Sequence, residues 1–157
     1  MRIGIGYDIH RFERGRELVL GGVRIDHEAG LAGHSDADVL THAVIDALLG
    51  AAALGDIGQH FPSDDSRYRD ANSLDLLRRA VAMVADAGYS IGNIDATVNA
   101  EQPKLATHID AIRSNLAEAL GVEIGAINVK ATTADGLGAI GRGEGIAAQA
   151  VVLLDST

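Results

Sequence analysis

The sequence predicts an α+β fold, in which helices cover one face of a mixed β-sheet. Segments with a two-residue apolar period lie towards both ends of the chain, and segments with a helical period lie between them. The predicted order is β-β-α-α-β-α-β-β, which is typical of such a fold. A length of 157 residues indicates a single domain, residues 1–157, that can bury its own core.

The first two predicted strands lie at the N-terminus. Residues 2–8 alternate between apolar side chains and small or polar ones, as a strand with one buried face does. Residues 17–25 form a second apolar segment, which we expect to be one strand bent at its glycine pair. Three further strands are predicted over residues 92–99, 126–132 and 146–154.

Three helices are predicted over residues 36–50, 73–87 and about 105–120. Ser35 and Ser73 precede or begin the first two, and serine is a favoured N-cap because its hydroxyl accepts from a free backbone N–H. Gly121 follows the third helix, where glycine readily adopts the left-handed conformation that ends a helix.

The second face of the sheet has no predicted cover, because three helices suffice for only one face. The strand residues that we expect there are small or aliphatic: Ile3, Ile5, Val98, Val129, Ile146 and Val151. Faces of this kind can pack in an obligate oligomer. We therefore expect this face to pack against further copies of the chain.

Composition argues against several classes of partner. The chain has 13 Lys and Arg against 22 Asp and Glu, a net charge of -9 and only 3% aromatics, whereas nucleic-acid binding needs a basic face and stacking rings. No apolar run approaches the roughly 18 residues of a membrane span, so we expect no membrane partner. The absence of cysteine excludes thiolate metal sites and fits a cytoplasmic location.

A metal site is indicated by Asp8 and His10, which lie two apart on the first strand and so point the same way. His42 lies on the first helix, and Asp38 or Asp46, four residues to either side, could accept its second ring N–H. Three ligands leave a fourth position open, as in catalytic zinc sites. The same spacing also fits an Asp and a His that make ordinary turn and surface contacts.

Three other segments have the character of ligand-binding loops. His34-Ser35-Asp36 precedes the first helix, where N–H groups either bind phosphate or are merely capped. Residues 55–65 form an acidic loop that either contacts ribose hydroxyls or is a solvated turn. Residues 130–145 are rich in glycine but lack the Walker pattern. In that segment Arg142 either binds an anion or pairs with Glu144.

Taken together, these segments resemble the 2-C-methyl-D-erythritol 2,4-cyclodiphosphate synthase family. The matching segments span nearly the whole chain: Arg2-Ile3-Gly4, Asp8-x-His10, Gly21-Gly22-Val23, His34-Ser35-Asp36 with Asp38 and His42, residues 46–58, Phe61-Pro62, residues 128–133 and residues 141–147.

The resemblance implies a homotrimer whose active sites lie between neighbouring subunits. The substrate would be a small cytidine diphosphate ester, 4-diphosphocytidyl-2-C-methyl-D-erythritol 2-phosphate. Its 2-phosphate would attack the β-phosphorus, close the 2,4-cyclodiphosphate ring and expel CMP. This phosphorus–oxygen lyase reaction belongs to the non-mevalonate route to isoprenoids.

The resemblance also implies two metal ions. Asp8, His10 and His42 would hold zinc, and a second divalent cation, magnesium or manganese, would bind beside Asp135. Position 135 departs from the family pattern, in which glutamate is usual. Asp135 still offers a carboxylate to a hard cation, although on a shorter side chain.

His34 and Thr133 would be the catalytic residues, which position the phosphates. Asp56 and Gly58 would contact ribose, and a loop from one subunit would hold cytidine against its neighbour. The implied substrate-binding residues are Ser35, Asp56, Ile57, Gly58, Phe61, Asp65, Ala100, Pro103, Lys104, Leu105, Ala106, Thr132 and Arg142.

Two further departures bear on the alternatives. Ser63 stands where aspartate is common, and Ala139 stands where an aromatic residue often lines a cavity on the trimer axis. One alternative is a zinc phosphoesterase that uses metal-bound water. The other is a non-catalytic trimeric protein that binds isoprenoid diphosphates, against which Ala139 argues.

Overall fold

Seven strands and five helices make up the computed structural model, which describes residues 1–157. The strands are Arg2–Arg14 (β1), Leu18–Leu20 (β2), Val23–Ile25 (β3), Ala29–Leu31 (β4), Tyr89–Asn99 (β5), Ile127–Thr132 (β6) and Gly145–Ser156 (β7). The helices are Val39–Ala51 (α1), Ile57–His60 (α2), Ser73–Asp86 (α3), Ile109–Leu120 (α4) and Gly138–Gly141 (α5). Single 3-10 turns occur at Ser66–Tyr68, Ala106–His108 and Ile124–Ala126. None of the helices has the length and apolar character needed to cross a bilayer.

Five strands form one sheet in the order β4-β1-β7-β5-β6. β5 and β6 are parallel, whereas the other neighbours are antiparallel, so the predicted α+β fold with a mixed sheet is confirmed. β1 continues to Arg14, well beyond its predicted end at residue 8. The reason is that β1 pairs with β7 as far as Arg11 and then with β4.

α1 lies directly on β1, and two glycines make this approach possible. A Cβ atom on Gly4 would lie 2.1 Å from the carbonyl oxygen of Ala47, and one on Gly6 would lie 1.9 Å from that of Ala43. Because no larger residue fits at these distances, glycine sets how close the helix lies to the strand. This contact brings His42, on α1, against the strand that carries the other two predicted ligands.

Residues 17–25 form a hairpin, so the prediction of one bent strand was wrong. β2 and β3 pair antiparallel across Gly21 (φ 54°) and Gly22 (φ 71°). Two consecutive residues with positive φ are what a two-residue hairpin turn needs, and the glycine pair therefore reverses the chain. The N–H groups of this turn donate to the carboxylate of Asp38 at 2.9 and 2.8 Å.

The N-caps of the first two long helices are not the predicted serines. Asp38 caps α1 by accepting from a backbone N–H in the first turn at 3.0 Å, and Asn72 caps α3 in the same way at 2.9 Å. The hydroxyl oxygens of Ser35 and Ser73 instead lie within hydrogen-bond distance of a histidine of α1. Gly121 ends α4 with φ 69°, as predicted.

The face of the sheet opposite the helices carries an exposed apolar row on β1. Its members are Ile3, Ile5, Tyr7 and Ile9, which are 71, 65, 56 and 48% exposed. The expectation that Val98, Val129 and Ile146 share this face was wrong, because they are buried on the helix-covered side. A contiguous apolar surface of this kind indicates an interaction site.

Candidate active site

Asp8, His10 and His42 come together where β1 passes under α1. Their ligand atoms all lie within 4.8 Å of one another. Asp8 Oδ2 is 2.8 Å from His10 Nε2 and 3.1 Å from His42 Nδ1. Strand alternation places Asp8 and His10 on the same face as Gly6, which is the face that the helix covers. The structure therefore brings together the three residues predicted as metal ligands.

The ring of His10 is oriented as a metal ligand requires. Its Nδ1 lies 2.6 Å from the carbonyl oxygen of Ala32, which can only accept a hydrogen bond. Nδ1 therefore carries a proton, and Nε2 is the nitrogen that faces Asp8. Metal-bound histidines usually donate their other ring N–H in this way, so the local geometry fits a bound cation.

The electrostatics of the cluster favour a cation. Burial raises the pKa of Asp8, but hydrogen bonds from His10 and His42 outweigh burial and hold the pKa well below its usual range. Burial lowers the pKa of His10, whereas the hydrogen bond and charge of Asp8 raise it, and the net shift is upward. A metal bound at His10 Nε2 must displace any proton from that nitrogen, so we expect the metal affinity of the cluster to fall as pH falls.

His42 Nε2 faces two hydroxyls, Ser73 Oγ at 2.8 Å and Ser35 Oγ at 3.2 Å. The prediction that Asp38 or Asp46 would accept this N–H was wrong. Asp38 is fully buried, and its oxygens accept from the β2–β3 turn and from the first turn of α1. Asp46 accepts from the first backbone N–H of α2 at 3.0 Å. Both carboxylates hold backbone N–H groups of neighbouring segments instead.

The segment before α1 is held at several points. His34 Nε2 lies 2.9 Å from the carbonyl oxygen of Asp65, which links two predicted substrate-binding segments. The guanidinium of Arg16 donates to the carbonyl oxygens of Gly33 at 2.7 Å and Ser35 at 2.6 Å. These bonds fix the backbone that presents His34 and Ser35 beside the cluster.

The residues expected to contact ribose form the start of α2. Asp56 is exposed and caps the helix, accepting from Gln59 Nε2 at 2.8 Å and from Gln59 N at 3.0 Å. Both hydrogen bonds lower the pKa of Asp56, so its carboxylate is charged. Ile57 and Gly58 follow in the helix, and the ring of Phe61 packs edge-on against a tyrosine 5.5 Å away.

A cavity of about 510 Å³ lies beside β6 and the start of α4. It is lined by six of the residues that the resemblance implies for substrate binding: Ala100, Pro103, Lys104, Leu105, Ala106 and Thr132. Glu101 links the segment after β5 to the loop after β6, because its Oε1 accepts from Ala134 N at 2.7 Å and from Gly136 N at 3.3 Å. The volume lies in the range of small-molecule sites.

Thr133, Asp135 and Arg142 lie on or after the strand that borders this cavity. Thr133 Oγ1 is 3.3 Å from Asp135 Oδ1, and Asp135 is exposed with a φ of 51°. Asp135 is not part of the three-ligand cluster. Arg142 is exposed and pairs with Glu144 at 2.9 Å, which is the ion pair weighed as an alternative to anion binding.

Within one chain, the ligand cluster and the cavity lie towards opposite edges of the sheet. The cluster is built on β1 and the cavity on β6, and β7 and β5 separate these two strands. Three inter-strand spacings of about 4.8 Å amount to roughly 14 Å. Two sites at this separation do not form a single pocket within one subunit.

Three residues support these sites in ways that sequence analysis did not predict, namely Arg16, Ser73 and Glu101. Each acts through a contact with a distant segment, and in two cases the partner is a backbone group. The spacing of residue types along the sequence does not predict contacts of this kind. Only the burial of a serine at a helix start would have been a hint.

Comparisons with known proteins identify the family of this chain. The YgbB family profile matches residues 1–155. A curated relative from Moorella thermoacetica, named 2-C-methyl-D-erythritol 2,4-cyclodiphosphate synthase, is 63% identical over 154 residues, covering 98% of this chain and 94% of its own. The bifunctional IspDF from Campylobacter jejuni matches with a TM-score of 0.96 and 46% identity, over 99% of this chain and 42% of that chain. A CDP complex of IspF from Plasmodium falciparum matches with a TM-score of 0.87 and 36% identity, over 99% of this chain and 96% of that chain.

Proposed function

Because this chain belongs to the YgbB family of 2-C-methyl-D-erythritol 2,4-cyclodiphosphate synthases, we propose that its active site joins the Asp8–His10–His42 cluster of one subunit to the β6 cavity of another. The chain is a cyclodiphosphate-forming lyase. It converts 4-diphosphocytidyl-2-C-methyl-D-erythritol 2-phosphate to the 2,4-cyclodiphosphate and CMP. The convergence of the three ligand atoms carries the proposal for the site.

Zinc is the ion that this ligand set suits best. One carboxylate and two imidazoles leave a fourth position open, and a chain without cysteine has no thiolate to offer. When bound, zinc supplies a Lewis acid that polarises a phosphoryl oxygen. The ionised Asp8 and the fixed tautomer of His10 preform the site. Magnesium or manganese is the proposed second cation, held by the exposed carboxylate of Asp135 together with phosphate oxygens.

The reaction requires the protein to align the two phosphates and to neutralise their charge. An oxygen of the 2-phosphate forms the new bond to the β-phosphorus, while the bond from that phosphorus to the CMP oxygen breaks. The nucleophile is already ionised, so no strong base is needed. His34 and Thr133 are proposed to hold the two phosphates in line, with Ser35 beside them. The bond from His34 to the carbonyl oxygen of Asp65 keeps that imidazole in place.

The cytidine end of the substrate is proposed to occupy the β6 cavity. Small side chains there leave room for a base, and Lys104 adds an exposed cation near the diphosphate. The solved P. falciparum IspF in this fold is a CDP complex, which supports a cytidine diphosphate ligand. Asp56 and Gly58, with Ile57, Phe61 and Asp65, are proposed to contact ribose. Asp56 would exchange its bond to the Gln59 side chain for one to a ribose hydroxyl.

A homotrimer is the assembly that we propose, with residues 1–157 as one synthase domain of the cytoplasm. The exposed apolar row on β1 needs a cover, and the two half-sites lie towards opposite edges of the sheet. A head-to-tail ring places the β1 side of one subunit beside the β6 side of the next. The resemblance of the motifs to the family supports three subunits. The same resemblance supports a position of Arg142 near the substrate.

Phosphorus NMR tests the reaction. The enzyme, incubated with the cytidylyl substrate, should produce the resonances of a cyclic diphosphate and an equal amount of CMP. A zinc phosphoesterase, the alternative activity, would instead release inorganic phosphate and leave the cytidylyl group attached. The matched control is the same enzyme after removal of metal by a chelator. Inorganic phosphate without CMP would contradict the proposed reaction.

Asp135→Asn tests the second cation. Asparagine tolerates the positive φ of this position as aspartate does, so the loop should keep its conformation while the charge is lost. We expect the magnesium or manganese concentration for half-maximal rate to rise about tenfold, because a hard cation prefers a charged oxygen ligand. The rate is measured at constant zinc. Asp155→Asn removes an equal charge at the far end of β7 and should leave the titration unchanged. An unaltered titration in Asp135→Asn would show that the residue is not a ligand.

A further inference from the structure

A chain of partly buried hydrogen bonds contacts the ring nitrogen of His42 that faces away from Asp8. His42 Nε2 lies 2.8 Å from Ser73 Oγ, and the Ser73 hydroxyl donates to Asp36 Oδ1. Ser73 is completely buried at the start of α3, and Asp36 lies in the segment before α1. The chain of bonds thus joins two segments that flank the proposed metal centre.

The groups that donate to Asp36 determine which atoms are donors and which are acceptors in these hydrogen bonds. Its carboxylate receives the backbone N–H of Ser73 at 2.9 Å and that of Asp38 at 3.1 Å, besides the Ser73 hydroxyl. All three partners donate, so Asp36 acts only as an acceptor. The one hydroxyl proton of Ser73 is committed to Asp36, which leaves the Ser73 oxygen as an acceptor towards His42.

Ser35 is the weaker neighbour of the same nitrogen. Its oxygen lies 3.2 Å from His42 Nε2 and already accepts the backbone N–H of Ala37 at 3.2 Å. No carboxylate receives the hydroxyl proton of Ser35 in the way that Asp36 receives that of Ser73. Ser35 therefore does not dictate which nitrogen of His42 is protonated, whereas Ser73 does.

We propose that Ser73, oriented by Asp36, is a positioning residue that keeps a proton on His42 Nε2 and presents His42 Nδ1 to the metal. The arrangement is the carboxylate–histidine–metal relay of many metalloenzymes with a serine hydroxyl inserted between carboxylate and ring. This inference deepens the proposed metal site and rests on it. It adds to the three ligands the two residues that orient one of them.

Zinc affinity of the full-length protein, measured by competition with a chelator, tests the proposal. Ser73→Ala removes the acceptor and should weaken zinc binding by about 10- to 100-fold, as loss of a partner behind a metal ligand does. Asn72→Ala is the matched control, because it removes the neighbouring N-cap of α3 without touching His42. It should lower the melting temperature and leave zinc affinity unchanged. Ser73→Ala with native zinc affinity would overturn the proposal.

Two further measurements separate orientation from general packing. Asp36→Asn should weaken zinc binding in the same direction but by less, because a neutral amide oxygen still accepts from Ser73; unchanged affinity would remove Asp36 from the relay. The His42 Nε2 proton, assigned in the NMR spectrum through its loss in His42→Ala, should exchange slowly in the native zinc-loaded protein and faster in Ser73→Ala. Equal exchange rates would count against the proposal. A native protein that bound no zinc would refute the metal site itself, which is a different outcome.

Discussion

His42→Ala should lose zinc and nearly all turnover while the protein stays folded. The substitution removes one of three ligands, and its Nδ1 is one of the two nitrogens within 3.1 Å of Asp8 Oδ2. Losing Lewis-acid stabilisation worth several kcal/mol corresponds to a fall in kcat on the order of 10²- to 10⁴-fold. Metal content by mass spectrometry and the rate of CMP release measure the two effects.

His27→Ala is the matched control for that variant. His27 is half-buried on the loop between β3 and β4 and lies outside the ligand cluster. It should keep one zinc per chain and native turnover. Circular dichroism should show the same secondary structure in both variants. The metal assignment would be wrong if His42→Ala retained one zinc equivalent per chain with native activity.

Two inactive variants should restore activity when they are assembled together. Lys104→Glu reverses the charge of an exposed residue in the β6 cavity, and His42→Ala removes the metal site. If each active site takes its cavity from one subunit and its metal from the next, a mixed ring contains one intact pair. Joint refolding of equal amounts should therefore recover about a quarter of native activity, since each site has that chance of pairing two intact halves.

The controls for this experiment follow from the same geometry. Each variant refolded alone should stay inactive, and the two mixed without unfolding should stay inactive as long as subunits do not exchange. Native mass spectrometry confirms that the mixed assemblies are trimers with both kinds of subunit. Mixed trimers without activity would refute a site shared between subunits. Activity in isolated monomers would refute it as well.

Much of the fold was predictable because its long elements repeat their pattern several times. β5, β6, β7, α3 and α4 appear close to where apolar periodicity placed them. The β2–β3 hairpin was predicted as one bent strand and β4 was not predicted at all, because three-residue strands are too short to show a period. The N-caps were wrong for a different reason. Several acceptors stand near each helix start, and Asp38 is selected by a turn that lies well before it in sequence.

The same division holds at the candidate site. Asp8, His10 and His42 were identified from residue types, spacing and family resemblance, because metal chemistry restricts which side chains can serve as ligands. The partner of His42 was assigned to Asp38 or Asp46 on helical spacing, and that assignment failed. Ser73 is the nearest partner instead, because α3 packs beside α1 and brings a hydroxyl from a residue 31 positions away.

The sequence by itself determined the family and the reaction, and it singled out the three residues that form the cluster. These properties depend on which residue types are present and on their order over short stretches, and both can be read from the sequence. Only the tertiary structure decided which hydroxyl contacts His42, which strand residues stay exposed, and that the cavity and the ligand cluster lie towards opposite edges of one sheet. These spatial relations arise when segments that are distant in sequence pack together, as the close contact of α1 with Gly6 illustrates. A local pattern carries no information about distances of that kind, because many packings satisfy the same pattern.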